Sequence, residues 1–335
     1  MNFKTINMYS IHNVVVYIVF TLVLIPTTIS KFTYVVDDLH WLGSEAAYDY
    51  WIDNNFLWGE TIIQNVGPLG FIHFPLSFTG IMDYEGTIAN IILSITLVVT
   101  TILLSTTINC RFYKFIFLSI FTILQIYKNQ NGLPEIVEVN HYLICLYIFY
   151  STIIFNFTII PLAIILATMS LGKGMFLFIA LFALLSVSLI KLIQKRYIHT
   201  LIFFTTFIFA WIAIWLFLKQ KLYYIDDFII NSFKFSEGYN QSLSNNYFQS
   251  NLLITCFIVA IILEILIFIK VYIIFRHKKN ICNIITIIFE QFILFAVWKH
   301  AMVSSAQYHL GIFIFFAFMF LPAICLICPK YDQNN

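Results

Sequence analysis

Two adjacent carboxylates, Asp37 and Asp38, open a polar, aromatic-rich stretch (residues 37–75) that follows directly on the first apolar run of the chain. A carboxylate beside a bilayer is costly to hold unless it faces water, a cation or a ligand. Acids gathered at the mouth of an apolar run are therefore candidates for chemistry. An ionised carboxylate positioned against a hydroxyl can take its proton as the hydroxyl attacks. Asp38 is the first candidate for that base and Asp37 the second. The same two acids, with Glu45 and Asp49, also make an oxygen donor set suited to a divalent cation, the one cofactor to which the sequence points. The competing reading of all four is solvation at an interface.

Anionic chemistry would need counter-charges. The cations expected on the same side are few: Lys31, Lys173, Lys299, His73, His300 and His309. Lys299 and His300 lie at the end of an apolar run, where a phosphate at headgroup level would sit. Each has a plainer reading. Lys173, flanked by Gly172 and Gly174, is placed to snorkel along its own aliphatic stem, and His300 and His309 in apolar surroundings suit hydrogen-bonded packing.

The elements that must position these groups are membrane helices. Hydrophobic residues make up 61% of the 335 and charged ones 10%, with a mean hydropathy of +0.90. Soluble domains carry roughly 25% charged residues, so a water-soluble fold would lack a surface. The net charge of +2 argues nothing about nucleic acid, because the few Lys and Arg sit in short clusters between apolar spans; the sequence shows no basic nucleic-acid patch, and no nucleic-acid partner is expected. Spans of roughly 20 apolar residues fall near 13–30, 87–108, 112–127, 141–155, 157–171, 174–193, 198–218, 252–275, 281–300 and 308–328. The reading is an all-α polytopic membrane protein of about ten transmembrane helices, one integral domain over 1–335.

Stretch 141–171 is the weak point, since it can be read as two short crossings, a re-entrant pair or one long helix. Basic clusters at Arg111/Lys114, Lys191/Lys195/Arg196 and Arg276–Lys279 fall on one side only if it crosses twice. Basic loops are cytoplasmic; the N-terminus is then cytoplasmic, and the polar loops 31–86 and 219–251 share the outer face. The first run, 13–30, lacks a small-residue cleavage site and is read as a retained helix. Residues 41–58 read as an amphipathic helix lying in the interface, with Trp41, Tyr48, Trp51 and Trp58 as headgroup-level anchors. Glu264 and Glu290 fall inside spans and should pair or face a cavity.

Four blocks together resemble a family of bacterial multi-span membrane proteins related to the C-type (GT-C) glycosyltransferase superfamily. They are Asp38-Leu39-His40-Trp41 leading to Gly67-Pro68-Leu69-Gly70-Phe71, "LGKGMF" at 171–176, "FIINSFKFSEGYNQSLS" at 228–244, and "WKHAMVSSAQYH" at 298–309. The last departs from the family pattern: Ser304 to Gln307 stand where an Arg and an Asp are expected. The resemblance implies a GT-C-like fold in the bacterial inner (plasma) membrane. It implies transfer of a sugar from a polyprenyl-phosphate donor to a glycan, lipid or protein acceptor at the outer face, with inversion. Asp38 or Asp37 would act as base, and Lys299, His300, His309, Lys173, Trp41 and Tyr239 would bind donor phosphate or substrate. Two other classes compete. A polysaccharide polymerase or ligase predicts a larger second outer loop than 219–251, and a transporter predicts duplicated halves with broken helices, which the sequence lacks.

Overall fold

A computed structural model of the chain describes residues 3–29, 51, 55–62, 67–72, 84–108, 111–130, 136–242, 250–277, 281–304 and 307–324. Within them the regular elements are helical: α1 (Phe3–Thr28), α2 (Tyr84–Thr106), α3 (Arg111–Gln130), α4 (Ile136–Ile154), α5 (Ile159–Ser170), α6 (Gly174–Ile193), α7 (Tyr197–Phe217), α8 (Ile225–Ser242), α9 (Ser250–His277), α10 (Ile281–Ser304) and α11 (Gln307–Ile324). Five are long and apolar enough to cross a membrane, over Thr87–Thr106, Gly174–Ile193, Tyr197–Phe217, Asn251–Arg276 and Ile281–Met302. Shorter apolar stretches occupy Val15–Thr28, Asn156–Ser170 and Leu310–Phe320. The chain is an all-α membrane protein. In hydrocarbon the backbone must satisfy itself, which selects helices. The many threonines follow the same rule: Thr28, Thr101 and Thr152 return their hydroxyls to the carbonyls of Leu24, Leu97 and Ile148, four residues back.

Helix α4 is the axis of the bundle. It packs against α2, α5, α6, α10 and α11, and every residue from Glu138 to Ile153 is buried. A helix with no lipid or water face has no amphipathic stripe, so each polar side chain on it must find a protein partner. Asn140 illustrates this: its amide donates to the Thr28 carbonyl at 3.3 Å and accepts from Gln125 Nε2 at 2.9 Å, tying α1 and α3 to the axis.

The stretch 141–171 folds as two helices running away and back. A 3-10 turn, Asn156–Thr158, reverses the chain, and Pro161 sits in the first turn of α5, where its missing N–H costs nothing. Lys173, beyond α5, returns to Glu138 at the start of α4. The chain is therefore back at one end after the pair. At the opposite end, the buried Lys191 donates to the Ile153 carbonyl and to Asn156, each at 3.0 Å, and Arg196 to Asn156 at 2.8 Å. Cations there meet the carbonyl end of α4, the favourable sense for a helix dipole.

Two expectations need correcting. The helix read over 41–58 does not reach its stated end. Trp51 is helical, but Phe56 N–H bonds back to the Trp51 carbonyl at 2.9 Å and Asn55 has φ 55°. This is a Schellman stop with asparagine in the left-handed position. Lys195 (φ 59°) and Lys219 (φ 58°) end α6 and α7 in the same way. Trp58 is consequently no headgroup anchor. It lies 2% exposed in a turn bridging to Ile62, its ring edge-on to Trp51. The polar stretch 219–251 carries a helix, α8, over Ile225–Ser242. Phe228 on α8 packs on Trp215, and Phe233 on Phe178, so α8 lies against α7 and α6.

Candidate functional site at the loop end of the axis

A set of polar contacts lies where segments 55–62 and 67–72 meet the bundle. Residues 67–70 are all buried and dock onto the turn that precedes Lys173. Gly67 N–H donates to Gly172 O at 3.0 Å, and Leu69 N–H to Leu171 O at 3.1 Å. The approach requires glycine: a Cβ on Gly67 would stand 2.1 Å from the Leu171 carbonyl oxygen and 3.2 Å from the Phe228 ring. The neighbouring turn docks on the α7–α8 junction. Trp58 N–H donates to Gln220 Oε1 at 2.9 Å, Gln220 Nε2 donates to Phe56 O at 3.2 Å, and Asn231 donates to Gly59 O at 3.3 Å. Gly59 has φ 93°, and a Cβ there would stand 2.6 Å from Tyr224 O. Glu60 at the tip of this turn hydrogen-bonds Tyr224 and raises its phenol above the usual range, while Tyr224 and Lys221 pull the Tyr223 phenol down.

Beneath this cover, four titratable groups form one chain of contacts. Glu138, in the first turn of α4, takes Lys173 Nζ on Oε1 at 2.5 Å and faces His300 Nε2 with Oε2 at 3.2 Å. The other imidazole nitrogen, Nδ1, lies 2.9 Å from the Tyr142 hydroxyl, which also contacts Met175 Sδ. The side chains of Glu138, Lys173 and His300 are only 8–12% exposed. A lysine and an imidazole thus converge on one carboxylate, a set that can bind an anion if the carboxylate yields and can pass a proton along Tyr142, His300 and Glu138.

Lys173 and His300, both expected to bind phosphate, are brought together here. Lys173 does not snorkel freely; it is paired. Lys299 is half-buried on α10 one position before His300, which turns it about 100° round the helix from the imidazole. Tyr239 and His309 are placed by backbone alone, near the C-terminal end of α8 and in the first turn of α11. Asp37, Asp38, Trp41, Glu45 and Asp49 lie outside the described residues. Among the described residues no group of three or more His, Cys, Asp or Glu has the arrangement of a metal site.

Glu138 is the residue that sequence reasoning missed. It lies just ahead of the span placed from 141, and the structure begins α4 five residues earlier, at Ile136. The signal was present: Glu138 and Tyr142 stand four apart, on one helix face. The other missed set is deeper. Glu290 does pair, as an acid within a span must, with Lys270 Nζ at 2.6 Å, and Tyr150 donates to the same carboxylate. Glu264 meets Gln291 at 2.9 Å.

No protein-family model, curated protein or solved structure matches this chain.

Proposed function

We propose that this protein is a membrane glycosyltransferase that takes a sugar from a polyprenyl-phosphate donor at the loop end of the bundle and delivers it to an acceptor there. One observation carries the reading. Described parts of four sequence blocks far apart in the chain meet at one place: Gly67–Leu69 on Leu171–Gly172, Phe228 against Gly67, and Lys173 with His300 on Glu138. A donor of this class presents a negatively charged phosphate at the rim of the hydrocarbon. A buried lysine and an imidazole held by one acid suit its stabilisation as it leaves, the imidazole through its N–H. Asp38 is the proposed base for the acceptor hydroxyl, and Glu138 holds Lys173 and His300 in place until phosphate arrives. The cell envelope of a bacterium is the proposed setting, with the loop end outside.

The test is transfer of labelled sugar from a set of polyprenyl-phosphate sugars by the full chain in lipid nanodiscs. Asp38→Asn is expected to lower the rate about 10²–10⁴-fold, the usual cost of losing a general base. Lys173→Met is expected to lower it with the fold intact. Undiminished transfer in both variants would overturn the reading.

A further inference from the structure

Glu264 stands at the middle of the 26-residue span Asn251–Arg276 of α9, about 18 Å from its nearer end at 1.5 Å per residue. The residue is exposed. Acids inside spans otherwise face the bundle interior or a water-filled cavity, as Glu290 does, and a glutamate side chain is too short to reach water from that depth. Helix α9 packs chiefly against α11 and is the least buried of the five long apolar helices. Its nearest cation, Lys270, is buried against Glu290 on the inner side. The Glu264 carboxylate is therefore presented on the outer surface of the bundle.

One side chain meets it there. Gln291 Nε2 of α10 donates to Glu264 Oε2 at 2.9 Å, and this bond is itself exposed. Among the described residues neither side chain makes a further hydrogen bond. A carboxamide carries two N–H donors and a carboxylate two acceptor oxygens. The chain thus offers outward one unused N–H on Gln291 and one unused acceptor, Glu264 Oε1. The flanking residues are large, apolar and exposed. Ile261 (59%) and Phe268 (71%) share the Glu264 face, and Ile288 (51%) and Phe295 (62%) that of Gln291, three residues before and four after in both cases.

We propose that this face of α9 and α10 is a two-fold interface with a second copy of the chain, joined inside the membrane by Gln291 of each copy donating to Glu264 of the other. A two-fold axis brings one surface against itself, so every donor-to-acceptor contact occurs twice, once in each direction. One spare donor and one spare acceptor per copy is the inventory that such a contact uses up. A cationic membrane partner would answer Glu264 and leave the Gln291 N–H unmet, and lipid chains would answer neither. Each carboxylate then accepts two N–H bonds, one from its own chain and one across the axis. Side-chain hydrogen bonds between helices are an established source of association in lipid, where apolar burial supplies little. Ile261, Phe268, Ile288 and Phe295 pack around the polar ring, and the arrangement closes at two copies.

The experiment is single-molecule photobleaching of the full chain, one dye per copy, in lipid vesicles over a series of protein-to-lipid ratios. The wild type is expected to pass from one-step to two-step spots as its density rises. Glu264→Leu and Gln291→Leu should each raise the density for half-pairing about tenfold. Glu264→Gln keeps an acceptor oxygen in the same place and should pair as the wild type does. Phe268→Ala should weaken pairing without touching the polar ring, whereas Phe209→Ala, at an exposed position on α7, should leave it unchanged. A wild type that stays single at every density overturns the proposal, whether or not the variants fold, and leaves the face to lipid or to a different membrane protein. Clusters growing beyond two copies overturn the two-fold arrangement, and equal weakening by Phe209→Ala overturns the choice of face. None of these readouts depends on sugar transfer.

Discussion

The two acids along the axis, Glu138 and Glu290, solve one problem differently. Each is a carboxylate inside a membrane bundle with a lysine from another helix. Glu138 holds Lys173 on one oxygen and faces His300 with the other, and the three side chains keep 8–12% of their surface. Glu290 crowds two donors onto one oxygen, with exposures of 6% and 0% across the ion pair. The first pair keeps some exposed side-chain surface, and the second is sealed. Position along one buried helix, rather than residue type, separates the two.

The comparison is tested most severely by removing the lysine from each pair. Lys270→Met strands Glu290 in hydrocarbon and is expected to cost about 3–5 kcal/mol at neutral pH, with a smaller loss in acid, where the carboxylate takes a proton. Lys173→Met removes one charged hydrogen bond from an acid that keeps His300 and some access to water. Its expected cost is about 1.5–3 kcal/mol. Denaturant unfolding in mixed micelles measures both. Equal losses would erase the distinction drawn between the two acids.

How much of this was legible in the sequence differs between the two clusters for physical reasons. The helices were: nothing but helix suits apolar runs of this length, and Pro161 after Asn156–Thr158 marks the reversal that splits 141–171. Lys173 and His300 were named because cations are scarce in such a chain. Glu138 was not, because Glu135, Glu138 and Asn140 interrupt the apolar Ile136, Val137 and Val139, so the continuous apolar run reads only from 141 although the helix begins at Ile136. Lys270 with Glu290 was half legible. The acid had to pair, but a partner twenty residues away on another helix is invisible to helical spacing. Helix α8 was hidden because its apolar contacts, Phe228 and Phe233, are diluted by Asp226, Asp227 and Lys234. Its pattern is clear only once α6 and α7 supply the surface it covers.

The loop over the Glu138 cluster gives the next largest effect. Gly67→Ala places a Cβ 2.1 Å from a backbone oxygen, and backbone cannot rotate away as a side chain can. The expected cost is about 1–3 kcal/mol, the range of overpacking. It should be accompanied by faster exchange at Leu69, whose N–H bond to Leu171 O would open. The Glu290 cluster, at the other end of α4, should be unmoved, with α9 protection as in the wild type. A change in α9 would mean that the two clusters are mechanically one.

The smallest expected effect isolates the docking of 55–62 from the chemistry beneath it. Gln220 follows the Schellman stop at Lys219 and is 5% exposed. Its amide is used from both sides, with Oε1 accepting from Trp58 N–H and Nε2 donating to the Phe56 and Leu218 carbonyls. Gln220→Ala leaves the buried Trp58 N–H without that acceptor, at an expected cost of about 1–2 kcal/mol. The variant should unfold at lower denaturant while the Lys173–Glu138 pair stays in place. Gln220→Glu keeps an acceptor for Trp58 N–H but presents no donor to Phe56 O, so it should recover only part of the loss. Full recovery would show that the Trp58 bond alone holds the turn, and no loss in Gln220→Ala would show that the turn is held by Gly59 against α8 instead.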